Sequence, residues 1–424
     1  MARWDDRSVA KNSAVLMMMY IAKLIFPLIT LPYLTRVLSA DCYGAVAYVR
    51  AVMVYMEVLV DFGFVLSATK RIVDAADDKA FLGVVTGNTI AAKLLLSAGA
   101  FVVLMVLTLA LPILRAHALY TVLSFAVVLM SVFLVDFLFR GLARMHVVTM
   151  RFVVMRGIAT ALTFAVVRRD SDMVLIPVVD LMGVLVAIAL VARETRKCGV
   201  VIKVSGLRDV LARMRESSVY FVSTMADTSF NVLSTVILGV MLSASDVAYW
   251  AVCLQLIGVG QAFYAPIMES VYPAMVQRKD WGLIMKLLKL FLPLIGVGCC
   301  LAYVLAPWGL VVVGGRQYAA AAGVYRRLIP VLLLSFPVML LGWPTLGAIG
   351  QQAKTSKTAV ITVIAQAIGF ALLAVTGTFT LVAVAILRSA TELLLLTLRL
   401  GYCWKYRGEL LGYKGSRIVP QQLG

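Results

Sequence analysis

Twelve apolar stretches follow one another along the chain, each close to the roughly 20 residues that a helix needs to cross a bilayer. They run approximately over 14–34, 44–65, 85–111, 118–139, 146–167, 173–192, 217–242, 247–273, 287–313, 328–349, 358–377 and 379–403. Inside hydrocarbon every backbone N–H and C=O must be satisfied within the protein, and segments of this length achieve that as helices. The expected fold is an all-α membrane protein of about 12 transmembrane helices. At 62% hydrophobic and 14% charged residues over 424 positions, with a mean hydropathy of +0.98, a soluble globule is excluded.

The formal net charge of +18 has two readings, a nucleic-acid partner or the excess of Lys and Arg that cytoplasmic loops of membrane proteins carry. The positions decide. With the N-terminus placed inside, the inner connections hold far more Lys and Arg than the outer turns. Both termini are therefore expected in the cytoplasm, and no nucleic acid is expected as partner. Arg3, Trp4, Asp5, Asp6 and Arg7 precede a first span much longer than a signal-peptide core, so no removable signal is expected. The longest inner connection, Arg193 to Glu216, carries seven basic residues and divides the spans six and six. This division predicts an N-terminal lobe over 1–205 and a C-terminal lobe with cytoplasmic tail over 206–424. Leu38-Ser39-Ala40 recurs as Leu242-Ser243-Ala244 at the equivalent turn, as a duplicated transporter would have it. Two inner segments, Lys70 to Phe81 and Val276 to Lys289, mix charge with apolar residues and are candidates for lying along the cytoplasmic surface.

Soluble-enzyme chemistry finds no support. The chain has no phosphate-binding G-x-x-x-x-G-K-[ST] loop, no H-E-x-x-H and no G-x-S-x-G elbow, and only two histidines, His117 and His146. Its six cysteines show neither metal spacing nor a disulfide framework. No catalytic residue, metal or cofactor is expected, and transport energy would come from an ion gradient, the membrane potential or the gradient of the cargo.

The charges inside the spans point to chemistry, because an ionisable group at membrane depth is costly and marks a pathway for polar cargo or ions. Glu57 and Asp61 stand four apart on one face of the second span, with Arg50 two turns earlier near that face. Arg388 and Glu392 repeat the spacing in the last span, as do Asp227 and Asn231 in the seventh. Lys23, Lys93, Arg156, Asp136, Asp180 and Glu269 add single charges. Cations suit a phosphate, and carboxylates suit protons or sodium. The candidate cargo-binding residues are Lys23, Arg50, Arg388 and Asn231. The candidates for ion coupling or gating are Glu57, Asp61, Asp227, Glu269 and Glu392. The competing reading makes Arg50 with Glu57, and Arg388 with Glu392, structural pairs.

Phe26 to Arg50, FPLITLPYLTRVLSADCYGAVAYVR, and Tyr55 to Ile72, YMEVLVDFGFVLSATKRI, resemble the opening of the Wzx-type polysaccharide flippases, which belong to the multidrug/oligosaccharidyl-lipid/polysaccharide exporter superfamily. DFLFRGLARMHVVTMR (Asp136 to Arg151), FNVLSTVILGVML (Phe230 to Leu242) and ESVYPAM (Glu269 to Met275) resemble later family segments. The resemblance implies two six-helix lobes around a central cavity in the bacterial inner membrane. Its implied cargo is an undecaprenyl-pyrophosphate-linked oligosaccharide, turned from the cytoplasmic to the periplasmic leaflet. The implied partners are membrane lipids, a polysaccharide polymerase and a chain-length regulator. The alternatives are a drug/cation antiporter of the same superfamily and a membrane-embedded glycan polymerase or ligase. The antiporter should favour carboxylates and aromatics in its cavity, and the enzyme should carry a long external loop.

Overall fold

The computed structural model describes residues 6–75 and 78–408, and among them every regular element is a helix. Arg3 and the basic tail beyond residue 408 lie outside the described residues. Eleven segments are long and apolar enough to cross a membrane, and Ala244–Ala262 with Ala265–Gln277, bent by 41° at their junction, completes twelve. The all-helical fold of about twelve spans is thus the fold of the chain.

The helices form two compact units. The first comprises Met1–Val252 with Val312–Gln317, and the second Cys253–Val311 with Tyr318–Gly424. In the first unit α1 is Asp6–Val37, α2 Ala40–Asp61, α3 Phe64–Asp74 and α4 Lys79–Ala110. The short α5 (Pro112–Ala116) leads to α6 (Ala118–Ser131), α7 (Asp136–Gly141), α8 (Met145–Val166), α9 (Leu175–Lys197) and α10 (Leu207–Met241). Helix α11 (Ala244–Ala262) begins in this unit and ends in the second. There follow α12 (Ala265–Arg278), α13 (Trp281–Val304), α14 (Ala306–Gly314), α15 (Ala322–Leu340), α16 (Gln352–Val375) and α17 (Leu381–Lys405).

Several helix starts are set by side chains that accept from otherwise orphaned N–H groups. Asp78 accepts from Ala80 and Phe81 at the start of α4, and Thr380 from Ala383 at the start of α17. The repeated Leu-Ser-Ala turns do the same work: Ser39 accepts from the Cys42 amide and Ser243 from the Asp246 amide. Helix capping is a sufficient physical reason for that echo. The two segments that mix charge with apolar residues are shared between successive helices. Lys70 to Asp74 ends α3 and Lys79 begins α4; likewise Val276 falls in α12 and Lys289 in α13.

Two interruptions shape the spans. The second span breaks after Asp61, where Phe62 and Gly63 are both left-handed, at φ 44° and 79°. Glycine suits that backbone, and a Cβ on Gly63 would also lie 2.6 Å from the Tyr220 Cβ. Beyond the break α3 is held on α10: Phe62 stacks on Phe221 at 4.5 Å between ring centroids, Ser67 shares a 2.6 Å hydrogen bond with Ser217, and Arg71 donates to Glu216 at 2.6 Å. In the second unit α15 widens into a π-helical turn over Leu341–Gly347, with Gly342 non-helical and Pro344 lacking an N–H. Arg399 of α17 donates to the Val338 carbonyl at 2.5 Å, one of the neighbour contacts that make a broken helix tolerable in lipid.

Between α9 and α10 the chain runs as an extended strap over 200–206. The Lys203 amide donates to the Gly83 carbonyl at 3.2 Å, and Asn88 brackets Ser205 by donating to its hydroxyl at 2.8 Å and accepting from its amide at 3.0 Å. Gly83 and Gly87 make the approach possible. A Cβ there would lie 2.0 Å from the Val201 oxygen and 2.1 Å from the Lys203 oxygen.

Candidate functional site

Helix α2 has two faces. Val46, Val49, Met53, Met56 and Val60 recur at helical spacing and are buried, whereas Arg50 and Glu57 are exposed on the flank about a quarter-turn away, with Asp61 half-buried on the same flank. Arg50 lies about 15 Å along the helix from Ala40. Its guanidinium makes no hydrogen bond or ion pair among the described residues. An open cation at that depth requires water or an anion beside it.

A connected set of charges surrounds it within the first unit. Glu57 lies in electrostatic range of Asp61, Arg156, Arg50 and Asp180, and Arg156 in range of Asp180, Arg50, Glu57 and Arg151. Arg156 of α8 and Asp180 of α9 form an ion pair at 3.5 Å that both leave partly exposed. Asp61 pairs with Lys93 of α4, which is buried and also faces the Phe137 ring at 5.8 Å. Tyr43 and Tyr120 lie close enough to feel Arg50.

A second cluster adjoins the first through Arg151. Asp136 of α7 receives two hydrogen bonds from Arg151 of α8, the one from Nε at 2.5 Å. Lys23 of α1 is exposed, lies 5.8 Å from the Phe152 ring centroid, and feels Arg140, Asp136 and Arg151. The structure thus brings together four of the candidate residues, Lys23, Arg50, Glu57 and Asp61, in one electrostatic network.

Of the other five, two lie on α10 and three in the second unit. Asp227 and Asn231 share an exposed face of α10, where the Asn231 amide donates to the Asp227 carbonyl oxygen at 2.9 Å. Glu269 is exposed on α12 and makes no ion pair among the described residues. Arg388 and Glu392 are buried to 5% and 3% exposure and bond to each other at 2.7 Å. They belong to a polar seam with Thr358, Thr362 and Gln366 of α16, all buried.

Residues 9–279 match the family of polysaccharide biosynthesis proteins, well over half of the chain. The chain belongs to this family. A candidate O-antigen transporter of Escherichia coli (strain K12) is 27% identical over 272 residues, 63% of this chain and 64% of that protein. Another, of Shigella dysenteriae, is 24% identical over 282 residues, 64% of this chain and 68% of its own length. The matched stretch therefore spans a little under two thirds of the Escherichia coli relative. Among solved structures, the lipid II flippase MurJ in an inward closed conformation superposes with a TM-score of 0.68 at 11% identity, over 93% of this chain and 87% of that one. An inward-facing multidrug resistance MATE family transporter of the MOP superfamily gives 0.65 at 16% identity, over 94% and 100%. At these identities the likeness is one of fold.

In this polysaccharide biosynthesis protein, Lys93, Arg156 and Asp180 join the site although only their presence inside spans marks them in the sequence. Tyr43 and Tyr120 carry no sequence signal at all, since aromatic residues are common in apolar spans. What unites the group is the packing of α2 with α4 and α6, of α6 with α9 and of α9 with α8, which sequence spacing does not encode.

Proposed function

We propose that the chain is a lipid-linked oligosaccharide flippase of the bacterial inner membrane, with both termini cytoplasmic. Its cargo is an undecaprenyl-pyrophosphate-linked polysaccharide repeat unit, moved from the cytoplasmic to the periplasmic leaflet by ion-coupled alternating access. The observation that carries this reading is Arg50, an exposed guanidinium without an ion pair halfway along a span, next to Arg156. Carrying sugars and a pyrophosphate through hydrocarbon strips polar groups of water without replacement, and a cationic, hydrated surface supplies that replacement. The family match and the candidate O-antigen transporters among the relatives support the cargo class. The functional halves are taken as 1–205 and 206–424, joined at the strap. A polymerase and a chain-length regulator are the partners that such a cargo implies.

Within this mechanism Lys23 and Arg50 receive the pyrophosphate, with Arg156 beside them, while Glu57, Asp61, Asp227 and Glu269 are the groups available for coupling or gating. Arg388, Glu392 and Asn231 keep secondary roles in cargo contact or coupling. The test is surface polysaccharide in cells whose only copy is a variant. Arg50→Ala is expected to lower it by about tenfold or more, the worth of a charge-assisted contact, with Arg50→Lys partly restoring it and membrane levels unchanged. Normal polysaccharide in Arg50→Ala would sink the cargo-binding role. For coupling, Asp61→Asn in proteoliposomes should change the response to an imposed proton or sodium gradient, and an identical response removes Asp61 from it. The MATE likeness keeps a drug/cation antiporter as the second reading; drug efflux with intact surface polysaccharide in a deletion strain would favour it.

A further inference from the structure

We propose that the strap over 200–206, together with the first turns of α10, is a binding surface for anionic phospholipid headgroups of the cytoplasmic leaflet. The proposal rests on the orientation stated above. The strap is not a loose loop: its hydrogen bonds to Gly83 and Asn88 hold the backbone against α4, so its outward side chains are presented in a fixed array. Val201, Ile202 and Val204 are 65%, 47% and 59% exposed, and Leu207 at the start of α10 is 67% exposed. Four large aliphatic side chains in seven residues are unfavourable in water. They follow directly on the end of the apolar span of α9, where a chain leaving hydrocarbon would meet headgroups.

Charge selects the lipid. Two of the three acids of this connection are paired, Glu194 with Lys197 and Glu216 with Arg71 and Arg213, so only Asp209, which accepts from the Ser205 hydroxyl at 2.6 Å, is left to offset the cations. Lys203, Arg208 and Arg215 are exposed, and their side chains make no ion pair among the described residues. Aliphatic side chains interleaved with uncompensated cations form the pattern of an interfacial segment that prefers anionic lipid. Their long stems can lie along the apolar surface while the charges reach the phosphates. A zwitterionic headgroup would cover the aliphatic residues and leave the cations uncompensated.

The full-length protein, reconstituted into vesicles carrying equal fractions of photoactivatable phosphatidylglycerol or phosphatidylcholine, tests this by mapping the lipid crosslinks to 200–215. Phosphatidylglycerol is expected to exceed phosphatidylcholine by at least about fivefold, the worth of a single basic residue near the surface. The preference should fall to parity in the Lys203→Gln/Arg208→Gln/Arg215→Gln variant. It should also shrink in the unaltered protein at 1 M salt, where screening shortens to about 3 Å. Equal labelling by the two lipids in the unaltered protein at low salt overturns the proposal. Orientation is read separately, by an impermeant maleimide on Val201→Cys against the unaltered protein. Labelling confined to inverted vesicles supports the cytoplasmic leaflet, and labelling in intact cells overturns that assignment whatever the lipid preference.

Discussion

Removing Glu392 should be more damaging than removing both Glu392 and Arg388. The two are four residues apart on α17, bonded at 2.7 Å and almost inaccessible. Because both sit on one helix, their bond to each other also forms when α17 is an isolated span. A single deletion is different, since it strips a buried charge of its ion-pair partner, at a cost of about 3–5 kcal/mol. Glu392→Leu should therefore be destabilised, while the double leucine variant stays within about 1.5 kcal/mol of the parent. Thermal unfolding in detergent is the assay. At roughly 2 °C per kcal/mol for a chain of this size, the Glu392→Leu midpoint should fall by about 6–10 °C. Destabilisation of the double variant equal to the sum of the singles would refute the coupling. Surface polysaccharide then separates the roles: a stable double variant that fails to make it gives the pair a part in transport, and one that makes it confines the pair to packing.

Gly83→Val and Gly87→Val should each dislodge the strap, because the new side chain would begin within about 2 Å of backbone oxygens of a strap that cannot retreat without losing the bonds of Lys203 and Ser205 to α4. Gly99→Val, with open space around it, is the matched control; equal protease resistance of the strap in all three would show that the close approach is dispensable. Glu57→Gln removes an anion from the neighbourhood of Arg50 and Arg156. It should tighten binding of a pyrophosphate-bearing lipid and slow its release, so that polysaccharide output falls as affinity rises; weaker binding would contradict the assignment of charges.

What the sequence reveals depends on how far apart the partners lie along it. Arg388 and Glu392 were legible because one helical turn separates them. Asp61 with Lys93, and Arg156 with Asp180, were legible only as isolated misplaced charges, since their meeting depends on how α2 packs on α4 and α8 on α9. The spans themselves were readable because lipid imposes one solution on any long apolar run. Their interruptions were harder. The glycine after Asp61-Phe62 is one of several in apolar runs, and its left-handed backbone follows from the close approach of α10 at Tyr220 and Phe221. Gly83 and Gly87, four apart in an apolar run, have the spacing of a helix–helix contact, yet they receive an extended strap.

The network in the first unit also accounts for its own imbalance. Lys23, Arg50, Lys93, Arg140, Arg151 and Arg156 are connected through electrostatic contact or ion pairing with Glu57, Asp61, Asp136 and Asp180. With every group ionised this leaves a formal excess of two positive charges. Asp136, Asp180 and Asp61 each hold one particular cation, which keeps Arg151, Arg156 and Lys93 in place, and Lys23, Arg50, Arg140 and Glu57 make up the rest of the network. A pyrophosphate diester carries two negative charges, so a bound headgroup would bring the region to neutrality. A much larger surplus would hold the headgroup too strongly to release it, and full neutrality without cargo would offer it no attraction. On the proposed reading the interleaved acids would then matter to the transport of an anion as much as the cations do, because they set how much positive charge remains for the cargo to meet.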